Sequence, residues 1–216
     1  MRKVSALFFD LDGTLTDSSE GITRTIAHVV EKMGHQAPPL DQLTRFVGPP
    51  LIESLGHFVG RDRADEALRH YLQRYVIEGR GLIENGLYDG IADVLPKLAA
   101  KKRLYVVTAK EEKISIKIVA HFGLTPHFQA VFGSRDDGSH ADKTSLIAYV
   151  CKTEKIAPED AVMIGDTKFD MIGAAQNKMK SVGAAWGYGS RADLEAHGAT
   201  AIAEKPEDLL NLLLSA

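Results

Sequence analysis

Short runs of apolar, β-branched residues recur along this chain with helix-like segments between them, and that alternation limits the possible folds more than any other feature. Strand candidates fall at residues 4–9, 104–108, 130–133, 161–164, 181–185 and 200–203. Between the later ones lie helical patterns at 111–122, closed by Gly123, at 143–152 and at 169–177. Strands separated by helices pair in parallel, and a parallel sheet needs helices over both faces. The pattern predicts an α/β fold built on a doubly wound parallel sheet.

One interval breaks the rhythm. Helical patterns at 17–33, ended by Gly34, at 51–59 and at 64–77 follow one another with no convincing strand. A helical cap over residues 17–85 is therefore expected, inserted into an α/β core formed by residues 1–16 and 86–216. Its limits are marked by Thr16-Asp17 and by a glycine-rich stretch, 79–90, that also holds Asn85 and Asp89. A chain of 216 residues is long enough for such a core and insert. Pro96 falls inside a helical pattern at 91–101, which it is expected to kink unless it lies near the first turn.

A formal charge of −3 and 25% charged residues give no electrostatic reason to expect a nucleic-acid or membrane partner. Lys101-Lys102-Arg103 reads as the solvated end of a helix. No apolar stretch approaches the roughly 20 residues needed to span a bilayer, and Met1-Arg2-Lys3 leads into a short strand-like run. The one cysteine, Cys151, excludes an internal disulfide and points to a reducing, cytoplasmic setting; helical spacing puts it near an apolar stripe. The eight histidines are scattered without metal-ligand spacing.

Ligands of open parallel sheets bind beyond the carboxyl ends of the strands. There the first strand delivers Asp10, Asp12 and Thr14, the second Thr108, the third a loop leading to Lys143, and the fourth Asp166 and Asp170. Crowded aspartates repel unless a cation is shared among them, and Mg²⁺ suits carboxylate, carbonyl and phosphate oxygens. Lys143, the Thr108 hydroxyl and the N–H groups of a helix start near Ala109-Lys110 could face a phosphate. A carboxylate can accept a phosphoryl group, and a second one nearby can act as acid and then base. Alternatives stay open at two positions: Thr108 could cap the following helix, and Lys110 or Lys168 could take the role of Lys143.

These residues resemble the haloacid dehalogenase superfamily, whose phosphatases carry the pattern Asp-x-Asp-Gly-Thr, here Asp10-Leu11-Asp12-Gly13-Thr14. The resemblance spans nearly the whole chain, with all four family motifs in order. It implies a Rossmann-like core in which Asp10 is the nucleophile and Asp12 protonates the leaving oxygen, then activates water. It further implies Mg²⁺ held by the Asp10 carboxylate, the Asp12 carbonyl and the Asp166 carboxylate, with Asp170 outside them holding metal-bound water or Lys143. Thr108, Ala109 and Lys143 would bind the phosphate of a small phosphomonoester. Ala109 departs from the serine or asparagine often found there.

Arg45-Phe46-Val47-Gly48-Pro49-Pro50-Leu51 resembles a cap motif of the phosphoglycolate phosphatase-like branch, which makes Arg45 a candidate substrate contact; the lesser alternative is a loop that just joins two cap helices. A phosphomutase of the β-phosphoglucomutase kind is disfavoured by Gly48-Pro49-Pro50, where that group carries an arginine and serines. Intact Asp10 and Asp12 disfavour a non-catalytic binding module, and Asp12 disfavours a dehalogenase proper. Trp186-Gly187-Tyr188-Gly189 could border the site or serve packing. Phosphoglycolate, nucleoside monophosphates and sugar phosphates all offer the same phosphoryl group, and discrimination among them rests on cap geometry rather than on spacing.

Overall fold

The computed structural model describes residues 4–47, 51–135, 139–140 and 142–214. Of the segments singled out above, Met1-Arg2-Lys3 and Gly48-Pro49-Pro50 lie outside the described residues.

Six strands form one sheet: β1 (Ala6–Phe9), β2 (Arg103–Glu111), β3 (Ala130–Ser134), β4 (Ala161–Gly165), β5 (Lys180–Ala184) and β6 (Ala201–Ala203). Their order is β3-β2-β1-β4-β5-β6, and every pairing is parallel. This is the doubly wound, Rossmann-like arrangement, with the reversal of strand order at β1. All four β1 residues are buried, as a central strand covered on both faces requires. Phe8 packs with Tyr105, Val107, Leu146, Ile147 and Val150 in one apolar cluster, so alternation turns Leu7 and Phe9 to the opposite face. Cys151 belongs to the same cluster, and burial pushes its thiol up to about 11, which leaves it a packing residue.

Two compact units divide the chain: residues Met1–Thr16 with Leu87–Ala216, and residues Asp17–Gly86. The second is helical, with helices Ser19–Lys32, Leu51–Val59 and Ala64–Leu72, the last running on as a wider π turn over Gln73–Ile77. Its interior includes Ile26, Val29, Leu55 and the stacked pair Tyr71 and Tyr75. Arg74 grips both oxygens of Glu84 and donates to the Thr25 hydroxyl. The glycine-rich stretch that marks one limit of the cap contains a helical turn, Arg80–Ile83.

In the first unit, Pro96 lies inside helix Ile91–Ala99. Lys102, expected on a solvated helix end, instead donates from Nζ to the Val4 carbonyl. The larger correction concerns β2. A helix was expected from residue 111, with helix-start N–H groups near Ala109-Lys110. The strand instead runs to Glu111, and the helix is Glu112–His121. A bulge after Val107 is followed by renewed pairing of Glu111 with Ser134, so the backbone through Ala109 and Lys110 stays extended. Thr108 is therefore a strand residue; the cap position belongs to Glu111. No helix among the described residues is long and apolar enough to cross a membrane.

Candidate active site

The register of β1 determines what surrounds Asp10. Phe9 pairs with Val106 on one side and Ile164 on the other, and the Asp10 N–H extends the ladder by donating to the Ile164 carbonyl at 2.9 Å. Asp10 thus leaves the sheet between β2, which carries Thr108, and the end of β4, which Asp166 follows.

The segment after Asp10 folds around one carbonyl. The N–H groups of Leu15 and Thr16 donate to the Leu11 oxygen at 2.9 and 3.0 Å. Gly13 makes this possible with a φ of 84°, a left-handed conformation that disfavours side chains. A Cβ at Gly13 would also fall 2.1 Å from Asp166 Oδ2, so the glycine admits the carboxylate as well as the turn.

Asp166 is fully buried. Thr14 Oγ1 donates to its Oδ1 at 3.1 Å, and the Tyr188 N–H donates to its Oδ2 at 2.9 Å. Trp186 Nε1 donates to the Thr14 carbonyl at 3.0 Å. The Trp186-Gly187-Tyr188-Gly189 segment is thereby a support for Asp166, a role that residue types alone did not disclose. A Cβ on Gly187 would lie 2.3 Å from Asp166 Cβ, and one on Gly189 2.0 Å from the Asp166 carbonyl oxygen.

Lys143 opens helix Lys143–Glu154, which is capped by the Asp142 side chain accepting from the Ser145 N–H. It is 5% exposed. Its Nζ lies 3.0 Å from Asp10 Oδ1 and 2.8 Å from Asp170 Oδ1, and donates to the Val107 carbonyl at 3.0 Å. This settles which lysine meets Asp10. Lys110 pairs with Asp12 at 2.7 Å, and Lys168 lies over the Phe169 ring. Asp170 sits in the first turn of helix Lys168–Gln176, its Oδ2 accepting from the Thr167 N–H and hydroxyl. Its Oδ1 meets the Lys143 ammonium as a buried ion pair.

Oxygens of Asp10, Asp166 and Asp170 all come within 4.8 Å of one another. Three carboxylates meet one ammonium, so the cluster carries excess negative charge in a desolvated place. Burial raises the Asp10 carboxyl to about 6 against the pull of Lys143, with Asp170 adding to the rise. Burial, then Asp170 and Asp10, push Asp166 up to about 8. Desolvation works against the Lys143 charge, but Asp10 and Asp170 outweigh it and hold the ammonium above its ordinary range. Such a donor set fits a divalent cation.

Thr108 is 2% exposed, and its hydroxyl accepts from the Lys110 N–H at 3.3 Å. Ala109 is exposed beside it. Arg45 lies in the other unit, on the turn Thr44–Phe46, with its guanidinium 4.9 Å from the Phe46 ring centre.

Comparison with known proteins agrees with this geometry. A 5'-nucleotidase of Pseudomonas aeruginosa is 40% identical over 90% of this chain and 88% of its own length. Tyrosine-protein kinase PtkA of Mycobacterium tuberculosis is 39% identical over 87% of this chain, which spans only 64% of that protein. The structure of a haloacid dehalogenase-like family protein from Streptococcus pneumoniae superposes with a TM-score of 0.90 at 33% identity, covering 98% of this chain and 99% of that one. Residues 7–184 match the haloacid dehalogenase-like hydrolase profile, and the chain belongs to that family.

Proposed function

We propose that the protein is a Mg²⁺-dependent phosphatase that hydrolyses a small phosphomonoester through an aspartyl-phosphate on Asp10. The observation that carries this reading is the buried cluster in which Lys143 bridges Asp10 and Asp170 while Asp166 stands within 4.8 Å. The Asp10 and Asp166 carboxylates and the Asp12 carbonyl would hold the cation, with Asp170 outside them on Lys143. Bound there, Mg²⁺ supplies positive charge that offsets both the carboxylates and the incoming phosphate.

The Leu11 N–H and Lys143 both engage Asp10 Oδ1, at 2.8 and 3.0 Å. Oδ2 is therefore the atom we assign to attack on phosphorus. As the bond from phosphorus to the leaving oxygen breaks, the Asp12 carboxyl gives that oxygen its proton. The resulting carboxylate then takes a proton from the water that splits the aspartyl-phosphate, which returns both residues to their starting state. Thr108 and the Ala109 N–H would bind phosphoryl oxygens, and Lys143 would face them as counter-charge.

Among substrates, a nucleoside monophosphate comes first because the 5'-nucleotidase is 40% identical, whereas a phosphoglycolate phosphatase of the same organism is 23% identical. In a panel of phosphomonoesters, a nucleoside 5'-monophosphate should show the highest kcat/KM; phosphoglycolate turning over faster would reverse the order. The likeness to PtkA supports a second reading, with a protein tyrosine as the phosphoryl acceptor. Labelled phosphate from ATP appearing on a tyrosine peptide faster than as free phosphate would favour it.

The raised carboxyls make a pH prediction. Asp10 and Asp166 hold protons in the folded protein up to about 6 and about 8, while unfolded aspartates release theirs near 3.8. The folded state then binds more protons across that interval, so this contribution to stability falls as pH rises from about 4 to about 8. Cation binding requires the deprotonated groups and should gain in the same direction. Thermal melts in EDTA and in Mg²⁺ should show a larger Mg²⁺ increment at pH 8 than at pH 5, and Asp166→Asn should flatten the difference. An increment independent of pH would remove the cluster as the cation site.

A further inference from the structure

Lys110 is a cation to which the phosphatase reading gives no task. Its Nζ lies 2.7 Å from Asp12 Oδ2, with the two side chains only 14% and 19% exposed. An ion pair in open solvent contributes little to stability and would mean little. This one joins residues 98 positions apart, and Lys110 sits where the register of β2 shifts, between Val107 and Glu111. Bulges commonly re-aim side chains beside active sites.

The pair makes the two Asp12 oxygens inequivalent. Lys110 holds Oδ2, while the Thr16 hydroxyl approaches Oδ1 only at 3.5 Å. We infer that Lys110 is a positioning residue that anchors Asp12 through Oδ2, so that Oδ1 carries the proton passed to the leaving oxygen. In that step the Oδ1–H bond breaks, and the leaving oxygen receives the proton as it takes the bonding pair from phosphorus. Oδ1 regains a proton from the water that later attacks. The inference rests on the role assigned to Asp12 under the proposed function.

Leaving groups separate a positioning role from a structural one. An alkoxide needs a well-placed acid to depart, whereas p-nitrophenolate leaves readily without one. The ratio kcat/KM reports steps through formation of the aspartyl-phosphate, so it isolates that proton transfer. Lys110→Met should lower kcat/KM for propyl phosphate by about tenfold or more, and for p-nitrophenyl phosphate by less than about threefold. Lys110→Arg should recover much of the alkyl activity. Equal losses on both substrates, or none on either, would overturn the inference; if Lys110→Met fails to fold, Lys110→Gln carries the same comparison. Asp10→Asn, run alongside, separates the two levels of the argument. Persistent turnover there defeats the nucleophile assignment, whereas its abolition together with an unselective Lys110 variant defeats only the role of Lys110.

Discussion

Asp10→Asn is expected to lower kcat/KM for p-nitrophenyl phosphate by at least ~10²-fold while leaving the protein folded. The fold should survive because the new amide keeps an oxygen at the position where Oδ1 now accepts from the Leu11 N–H at 2.8 Å and meets Lys143 at 3.0 Å. Chemistry should not survive, because an amide oxygen is a poor nucleophile towards phosphorus. The substitution also removes a carboxyl whose burial raises it to about 6, so the melting temperature in EDTA should hold or rise. Turnover within tenfold of the parent, in a variant that melts normally, would displace Asp10 from the nucleophile role.

Lys143→Met should be the most damaging change to stability. It removes the cation between Asp10 and Asp170, both of which lie in the buried cluster with Asp166. Breaking a buried charge pair by deleting one partner costs about 3–5 kcal/mol, chiefly because the other charge is left uncompensated. Methionine fills much of the same volume, so a cavity adds little. The loss should be greater at pH 8 than at pH 5, since at the lower value the raised carboxyls of Asp10 and Asp166 take up protons instead. Urea unfolding in EDTA at both pH values measures this, and Mg²⁺ should restore part of the stability. A loss below about 1 kcal/mol at pH 8 would show that the carboxylates do not depend on Lys143.

Much of the fold is legible because periodicity and punctuation survive in one dimension. Runs such as Leu7-Phe8-Phe9 and Val162-Met163-Ile164 are too short for helices and too apolar for exposed strands, and both lie at the centre of the sheet. The end of β2 is not legible in the sequence, because a bulge and its renewed pairing, Glu111 with Ser134, depend on the neighbouring strand. Local pattern at Ala109 and Lys110 carries no record of that partner. Helices Arg191–Ala196 and Asp208–Leu214 were also not anticipated, being too short for a clear period.

For the site, the chain by itself determined the chemical inventory: aspartates at the ends of β1 and β4, a threonine after the apolar run of β2, and a lysine at a helix start. These follow from residue type and strand ends, both of which are local. Only the tertiary structure decided the pairings. Lys143 and Lys110 look alike in sequence, yet one meets Asp10 and Asp170 and the other Asp12. The support of Asp166 by Thr14 and Tyr188 spans 152 and 22 residues. It exists because Gly13, Gly187 and Gly189 leave room where any Cβ would collide. Charge pairing and close approach depend on distance in space, which strand order and register set, and no local pattern of residues encodes it.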